Sequence, residues 1–223
     1  MELTTELIEE LQSKINHFVI DQFYSTENLV EVITQTGSLT RQLFELIFET
    51  GIQQGSTVKA YYNNNKFNPH YSKAYFRVSF ENLSDVFAFV GFKKTTGDPT
   101  WDMTESHAGL MLHEGKIYLS TANELGVSHT QQRTQISGVD LTKDMVIKIE
   151  NNKLFTMPMP QVIPYFDTFR IISPDRIWTL RVTNNTSPAE DLNHYIMFFI
   201  SNTTNNNRKM FVRHFMYAEE YAD

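Results

Sequence analysis

The spacing of apolar residues changes once along the chain, near residue 55. Before this point apolar residues recur every three or four positions, as in Ile8, Leu11 and Ile15, which predicts an amphipathic helix. Beyond it, apolar and polar residues mostly alternate, which predicts strands. The sequence therefore predicts a helical segment over 1–55 and a separate β domain over 56–223.

The predicted helical segment contains three short helices. The first carries an apolar stripe that matches two heptads. Its heptad positions are Ile8, Leu11, Ile15 and Phe18. The second helix is predicted over 27–35 and the third over 39–50. Because short helices are marginal on their own, they must pack on something, and the heptad residues are candidates for an oligomerisation or docking interface. The alternative is a local cap on the β domain.

Residues 85–121 predict the centre of the β domain. Residues 86–92 are apolar on both sides, which predicts a central strand covered on both faces. A long polar loop, a second strand and a tight turn at Glu114-Gly115 follow. Further strands are predicted at 58–62, 74–80, 131–136, 145–150, 153–155, 176–183, 194–201 and 209–217, the first and third of them at sheet edges. Such closely spaced strands are typical of an antiparallel sandwich or jelly roll.

The composition excludes several classes of function. The net charge of −7, without any run rich in Lys or Arg, disfavours a nucleic-acid partner. The chain has no cysteine, so it has neither disulfides nor a thiolate metal site. The first residues lack a signal-peptide pattern, and no apolar run approaches the ~18 residues needed to cross a bilayer. We therefore expect neither secretion by a signal peptide nor membrane insertion.

The order of strands and turns from about residue 75 to 217 resembles a concanavalin A-like sandwich, the lectin/glucanase or laminin G-like jelly roll. The stretches that carry it are FAFVGF at 87–92, DPT at 98–100, SHAGL at 106–110 and EGKIY at 114–118, continued by ISGVD at 136–140 and VIKIE at 146–150. The resemblance implies two antiparallel sheets. This succession of strands and turns is similar to sandwich domains in surface proteins of bacterial and archaeal viruses. In those proteins a helical N-terminal segment often attaches or trimerises the protein.

The glucanase branch of this fold implies a testable pattern of carboxylates. Its Glu-x-Asp-x-x-Glu strand places two carboxylates beside the glycosidic bond. That pattern is absent here, and the candidates on predicted strands, Glu81, Asp144 and Glu150, each stand alone. The sequence therefore predicts a protein that is not an enzyme.

The polar loop before residue 107 holds the densest group of oxygen ligands. Its carboxylates Asp98, Asp102 and Glu105 form a candidate calcium site, because hard cations bind several oxygens. The bland alternative is a solvated acidic loop. The histidines His107 and His113 could share a strand face, but zinc needs a third ligand that the sequence does not place. No other cofactor is expected.

An aromatic residue in the same loop suggests a ligand. Trp101 could stack on a sugar, or it could fold back as a hydrophobic lid. Together with Asn123 and His129 of the later loop, it forms the candidate glycan-binding site.

Two functions follow from these observations. The first is a structural surface protein of a virion, such as a capsid decoration or a fibre or spike head. It would be made in the cytoplasm and displayed on the virion as a homo-oligomer, with a trimer favoured, in contact with other virion proteins and a host glycan. The second is a lectin-like carbohydrate-binding module.

Overall fold

The computed structural model describes residues 15–21, 29–42, 45–63, 67–123, 130–158, 180–189 and 194–220. These residues form strands and loops, and none of them is in a helix. The strands are β1 (Ile15–Asp21), β2 (Leu29–Ile33), β3 (Ser38–Gln42), β4 (Glu45–Glu49), β5 (Thr57–Tyr62), β6 (Ser72–Phe80), β7 (Val86–Lys93), β8 (His107–His113), β9 (Lys116–Asn123), β10 (Thr130–Ile136), β11 (Met145–Glu150), β12 (Lys153–Pro158), β13 (Leu180–Thr183), β14 (Tyr195–Asn202) and β15 (Lys209–Glu220). In this described part, no helix could cross a membrane.

The strands form two antiparallel sheets. One has seven strands in the order β10-β9-β8-β7-β14-β5-β2. The other has eight, in the order β13-β12-β11-β6-β15-β4-β3, with β1 paired to β15 beyond the end of β4. The predicted two-sheet antiparallel jelly roll is confirmed.

A continuous apolar core lies between the two sheets. Alternate residues of each strand point into it, because successive side chains of a strand lie on opposite faces. On the seven-stranded side these include Val90, Leu110 and Phe198, and on the eight-stranded side Phe76 and Ile147. All five side chains are fully buried. The inner core therefore joins the sheets along their length.

The central unit of the β domain agrees with its prediction. All eight residues of β7 are buried, so this strand is covered on both faces. Glu114 and Gly115 have φ angles of 50° and 72°, which gives the tight turn between β8 and β9. Asn151 has φ 52° and turns β11 into β12.

Two glycines let aromatic rings and backbones approach closely. A Cβ on Gly109 would lie 2.6 Å from the ring of Phe89, and a Cβ on Gly91 would lie 2.4 Å from the carbonyl oxygen of Ala108. Neither position has room for a side chain. Strands β7 and β8 therefore approach each other at Gly91 and Gly109 more closely than a residue with a side chain would allow.

The helices predicted over 27–35 and 39–50 are wrong, because these segments form β2, β3 and β4. In β4 the buried residues alternate with half-buried ones, so Leu46 and Phe48 face the core. In the predicted helix, Leu46 belonged to the apolar set and Phe48 lay on its flank. Helices this short gain little stability alone, whereas each of these strands pairs with a neighbouring strand of the sandwich.

The described strands before residue 50 belong to the sandwich. Strand β2 pairs with β5, and β4 pairs with β15, so residues 29–49 contribute to both sheets. As a result β5 is an interior strand, and its prediction as an edge strand is wrong, whereas β10 does form an edge. Of the heptad residues, Ile15 and Phe18 lie in β1, and Ile8 and Leu11 lie outside the described residues.

Candidate functional site

The outer face of the seven-stranded sheet, which points away from the inner core, carries a second apolar cluster. The residues in this cluster are Phe87, Phe89, Met103, Met111, Met197 and Phe199, all buried. Five of them come from strands, and Met103 comes from the loop between β7 and β8. This loop, residues 94–106, therefore covers the sheet, and we call it the strap.

The strands beneath the strap carry cations and no carboxylates. Strands β5, β7, β8, β9, β10 and β14 contain no Asp or Glu in their sequences. Their outer face includes Lys59 on β5, Lys93 on β7 and Arg133 on β10. In a chain with a net charge of −7, this face is basic.

The strap supplies one carboxylate for each of these cations. Asp98 pairs with Lys59 at 2.5 Å, and Lys59 also donates a hydrogen bond of 2.7 Å to the carbonyl oxygen of Thr96. Glu105 pairs with Lys93.

Asp102 lies 3.5 Å from Arg133, so three ion pairs connect the strap to the sheet. Since β5 and β10 are five strands apart, these pairs span roughly 24 Å across the strands.

The ion pair at the base of the strap is the most deeply buried. The side chain of Lys93 is 0% exposed, and it also hydrogen-bonds Thr95 Oγ1 at 2.7 Å. Burial lowers the pKa of Lys93, although Glu105 opposes that shift. Burial alone would raise the pKa of Glu105, but the hydrogen bond and charge of Lys93 outweigh it and hold that pKa below its ordinary value. Glu105 is therefore held as a carboxylate.

Trp101 is held between two side chains. The guanidinium of Arg133 lies 3.8 Å from the centre of its ring, and His113 stacks on it at 4.3 Å with an interplanar angle of 23°. Groups this close to one ring centre cannot share a face without clashing, so they cover opposite faces. Tyr118 contacts the indole edge-on at 5.1 Å. The carbonyl oxygen of Trp101 accepts a hydrogen bond of 2.8 Å from Arg133. Of the two predicted roles for Trp101, the folded-back lid is the one observed.

His107 is fully buried next to the base of the strap. Its Nδ1 donates to the carbonyl oxygen of Glu105 at 2.8 Å, and its Nε2 lies 2.8 Å from Ser120 Oγ. Burial lowers the pKa of His107 to about 4, although the Glu105 carbonyl opposes the shift. The ring is therefore neutral near pH 7 and serves to fix the start of β8.

The structure does not bring the predicted calcium ligands together. Asp98, Asp102 and Glu105 each pair with a different cation, on β5, β10 and β7 respectively. Among the described residues, no group of three His, Asp or Glu side chains could hold a metal ion. His107 and His113 do share the outer face, but each ring has a separate set of contacts.

The predicted glycan-binding residues are also divided. Asn123 follows the alternation of Ile117 and Leu119, which face the inner core, so it lies on the opposite side of the sheet from Trp101. His129 lies outside the described residues. Asn123 and Trp101 therefore do not form one surface.

Sequence reasoning missed the cations and the tyrosines of the outer face. Lys59 precedes Asp98 by 39 residues, and Arg133 follows Trp101 by 32. Tyr61 on β5 and Tyr195 on β14 are half-buried and meet edge-on with ring centres 5.7 Å apart. The available signal was the alternation of the strands, because every cation on these strands occupies a position that alternates with the inward-facing ones.

Comparisons with known proteins identify the fold. No family model matches the sequence, and no curated protein matches it. Solved structures do match over nearly the whole chain. The chain has the concanavalin A-like jelly-roll fold.

Three of these structures show the range of proteins that share the fold. A protein of unknown function from Shewanella oneidensis MR-1 has a TM-score of 0.58 and 9% identity, covering 100% of this chain and 98% of its own. The exoplasmic/lumenal domain of VIP36, bound to Ca²⁺ and Man3GlcNAc, has a TM-score of 0.54 and 10% identity, covering 90% and 87%. A glycoside hydrolase family 16 endo-glucanase from Bacteroides ovatus has a TM-score of 0.52 and 8% identity, covering 88% and 98%.

The buried His107 should make stability depend on pH. Its pKa is about 4 in the folded protein against an ordinary 6.5, so between these values the unfolded chain takes up a proton that the folded chain excludes. The full stability is present above about pH 6.5 and decreases toward pH 4, by at most about 3 kcal/mol from this group. Urea unfolding at several pH values measures it. His107→Gln should flatten the decrease, and an identical decrease in that variant would contradict the assignment.

Proposed function

We propose that this protein is a carbohydrate-binding sandwich without hydrolase activity. The observation that carries the proposal is an outer sheet face with aromatic rings and cations but no carboxylate on the six strands beneath the strap. Glycoside hydrolysis needs one carboxylic acid that stays protonated and a second carboxylate across the bond. Glu105 has a lowered pKa and is paired with Lys93, which is the opposite of what a general acid requires.

Tyr61 and Tyr195 provide the best platform for a sugar ring on this face. Both are half-buried, and their rings meet edge-on. Aromatic faces stack on the apolar faces of sugars, and phenol groups bond to hydroxyls. Asp98 is linked to this platform through its ion pair with Lys59, whose Nζ is 6.0 Å from the centre of the Tyr61 ring.

The fold supports this assignment because it is also found in proteins that bind or act on glycans. VIP36 was solved with a bound mannose-containing glycan and Ca²⁺, and the Bacteroides ovatus protein is an endo-glucanase. Calcium in this chain would need oxygens other than the three strap carboxylates, or it would have to displace their cations.

Binding to a panel of neutral and acidic polysaccharides tests the proposal. We expect retarded migration in affinity gels containing the correct glycan, and about tenfold weaker binding for Tyr61→Ala or Tyr195→Ala, corresponding to roughly 1.4 kcal/mol of lost contact. Tyr71→Ala, at an exposed tyrosine of the loop before β6, is the matched control.

Running the gels with calcium and with a chelator measures any calcium requirement. Failure of every glycan to bind, unchanged binding in both platform variants, or release of reducing sugars from the panel would contradict the proposal.

We also propose that the sandwich is displayed as a homo-oligomer on a virion surface, in line with the resemblance carried by stretches between residues 87 and 154. Light scattering on the full-length protein tests the assembly. The expected mass is a multiple of the 26.0-kDa chain, with three copies favoured. A mass equal to one chain at all concentrations would contradict it.

A further inference from the structure

The charges of the strap mirror those of the sheet beneath it. The strap carries three carboxylates, and each is paired with a cation of the outer face. The strands themselves offer no internal partner for these cations, since six of the seven contain no acidic residue. Without the strap, the outer face would be a basic surface with apolar and aromatic side chains between its charges.

Covering the apolar cluster does not by itself require these ion pairs. Met103 already inserts into the cluster, and replacing a buried ion pair by apolar residues is often neutral or stabilising. The best-attested roles of buried ion pairs are to fix one register between two surfaces and to act in a switch between two states. The ion pairs between strap and sheet fit these roles, because each pair joins a cation of the sheet to a carboxylate of the loop.

The base and the middle of the strap differ in how firmly they are held to the sheet. At the base, Lys93 is fully buried, its partner Glu105 is 26% exposed, and the Lys94 amide donates to the Ser106 carbonyl oxygen at 3.0 Å. In the middle, the side chains of Asp98 and Asp102 are 45% and 84% exposed. Their partners are less exposed, Arg133 at 25% and Lys59 at 6%, so the Asp102–Arg133 pair is the more solvated of the two. Solvated ion pairs contribute little and are weakened by salt. The middle of the strap is therefore the part that an anionic ligand could displace.

The strap also follows the course that a chain-like ligand would take. It crosses the strands from Lys59 on β5 to Arg133 on β10, roughly 24 Å away, past the platform formed by Tyr61 and Tyr195. A polysaccharide with regularly spaced negative charges that crossed the strands would have the length to reach both Lys59 and Arg133.

We propose that the outer face binds an acidic polysaccharide, and that the middle of the strap is a built-in competitor for it. This inference rests on the proposed carbohydrate-binding function and names its ligand class. Carboxylate or sulfate groups of the ligand take the places of Asp98 and Asp102 beside Lys59 and Arg133. An acidic peptide could meet the cations too, but it lacks the sugar faces that suit the tyrosine platform.

The experiment compares polygalacturonate, a neutral glucan and polyglutamate as ligands of the full-length protein by isothermal titration calorimetry. The test variant is Asp98→Asn with Asp102→Asn, which keeps the shape of the strap and removes two of its charges. The matched control is Glu81→Gln with Asp140→Asn, which changes the net charge equally at exposed positions outside the strap. Thermal melting establishes that each variant is folded.

We expect the strap variant to bind polygalacturonate several-fold to about tenfold more tightly than the wild type, because two competing carboxylates are removed. The control variant should show a clearly smaller gain, and neutral glucan should bind both alike. Lys59→Met should abolish the gain.

Equal gains in the strap and control variants would overturn the inference, as would polyglutamate binding as tightly as polygalacturonate. If a neutral glycan binds through the tyrosine platform and acidic ones do not, this inference fails while the proposed function stands. If no glycan binds at all, both fail.

Discussion

The attachment of the strap to the seven-stranded sheet is the interaction on which the rest of the outer face depends. Without it, the buried cluster around Phe89 and Met111 would be exposed, and Lys93 would lose its partner. Removing one member of a buried ion pair typically costs about 3–5 kcal/mol, because the remaining charge is left without compensation. The Lys93–Glu105 pair therefore holds the strap at its base. Beneath the strap, the absence of a side chain at Gly109 leaves room for the ring of Phe89.

The same interaction relates the fold to its proposed function. A sheet whose outer face is closed by a loop cannot offer that whole face to a ligand, but it can offer its open side, where Tyr61 and Tyr195 lie. It also holds Trp101 with both ring faces covered. Under the proposed function, ligand recognition on this face is controlled by how much of the strap stays in place.

Much of the fold could be predicted from the sequence, because period-two alternation is a direct consequence of burying one strand face. Strands β6 to β12, where the chain is described, and the turns at Glu114-Gly115 and Asn151 lie where the pattern placed them. The first strands could not be predicted in this way. In five-residue strands such as β4, a few apolar residues fit a helical period and an alternating one equally well, and only the pairing with β15 decides between them.

The site was predictable only in part. The cluster of Asp98, Trp101, Asp102 and Glu105 was identified because its members are close in sequence. Their contacts could not be predicted, because their partners Lys59 and Arg133 lie on strands that are distant in sequence. Pairing across a sheet leaves no local signal in the sequence. Carboxylates that looked like ligands for a cation are in fact paired with cations of the protein itself.

A double-mutant cycle on Lys93 and Glu105 tests the central physical claim most directly. Unfolding free energies are measured for the wild type, Lys93→Met, Glu105→Gln and the double variant. We predict that each single change destabilises the protein, and that the double variant loses about 2 kcal/mol less than the sum, because neither charge is left buried alone. Losses that add to within about 0.5 kcal/mol would show that the two residues act independently, and would contradict a strap held to the sheet by charge.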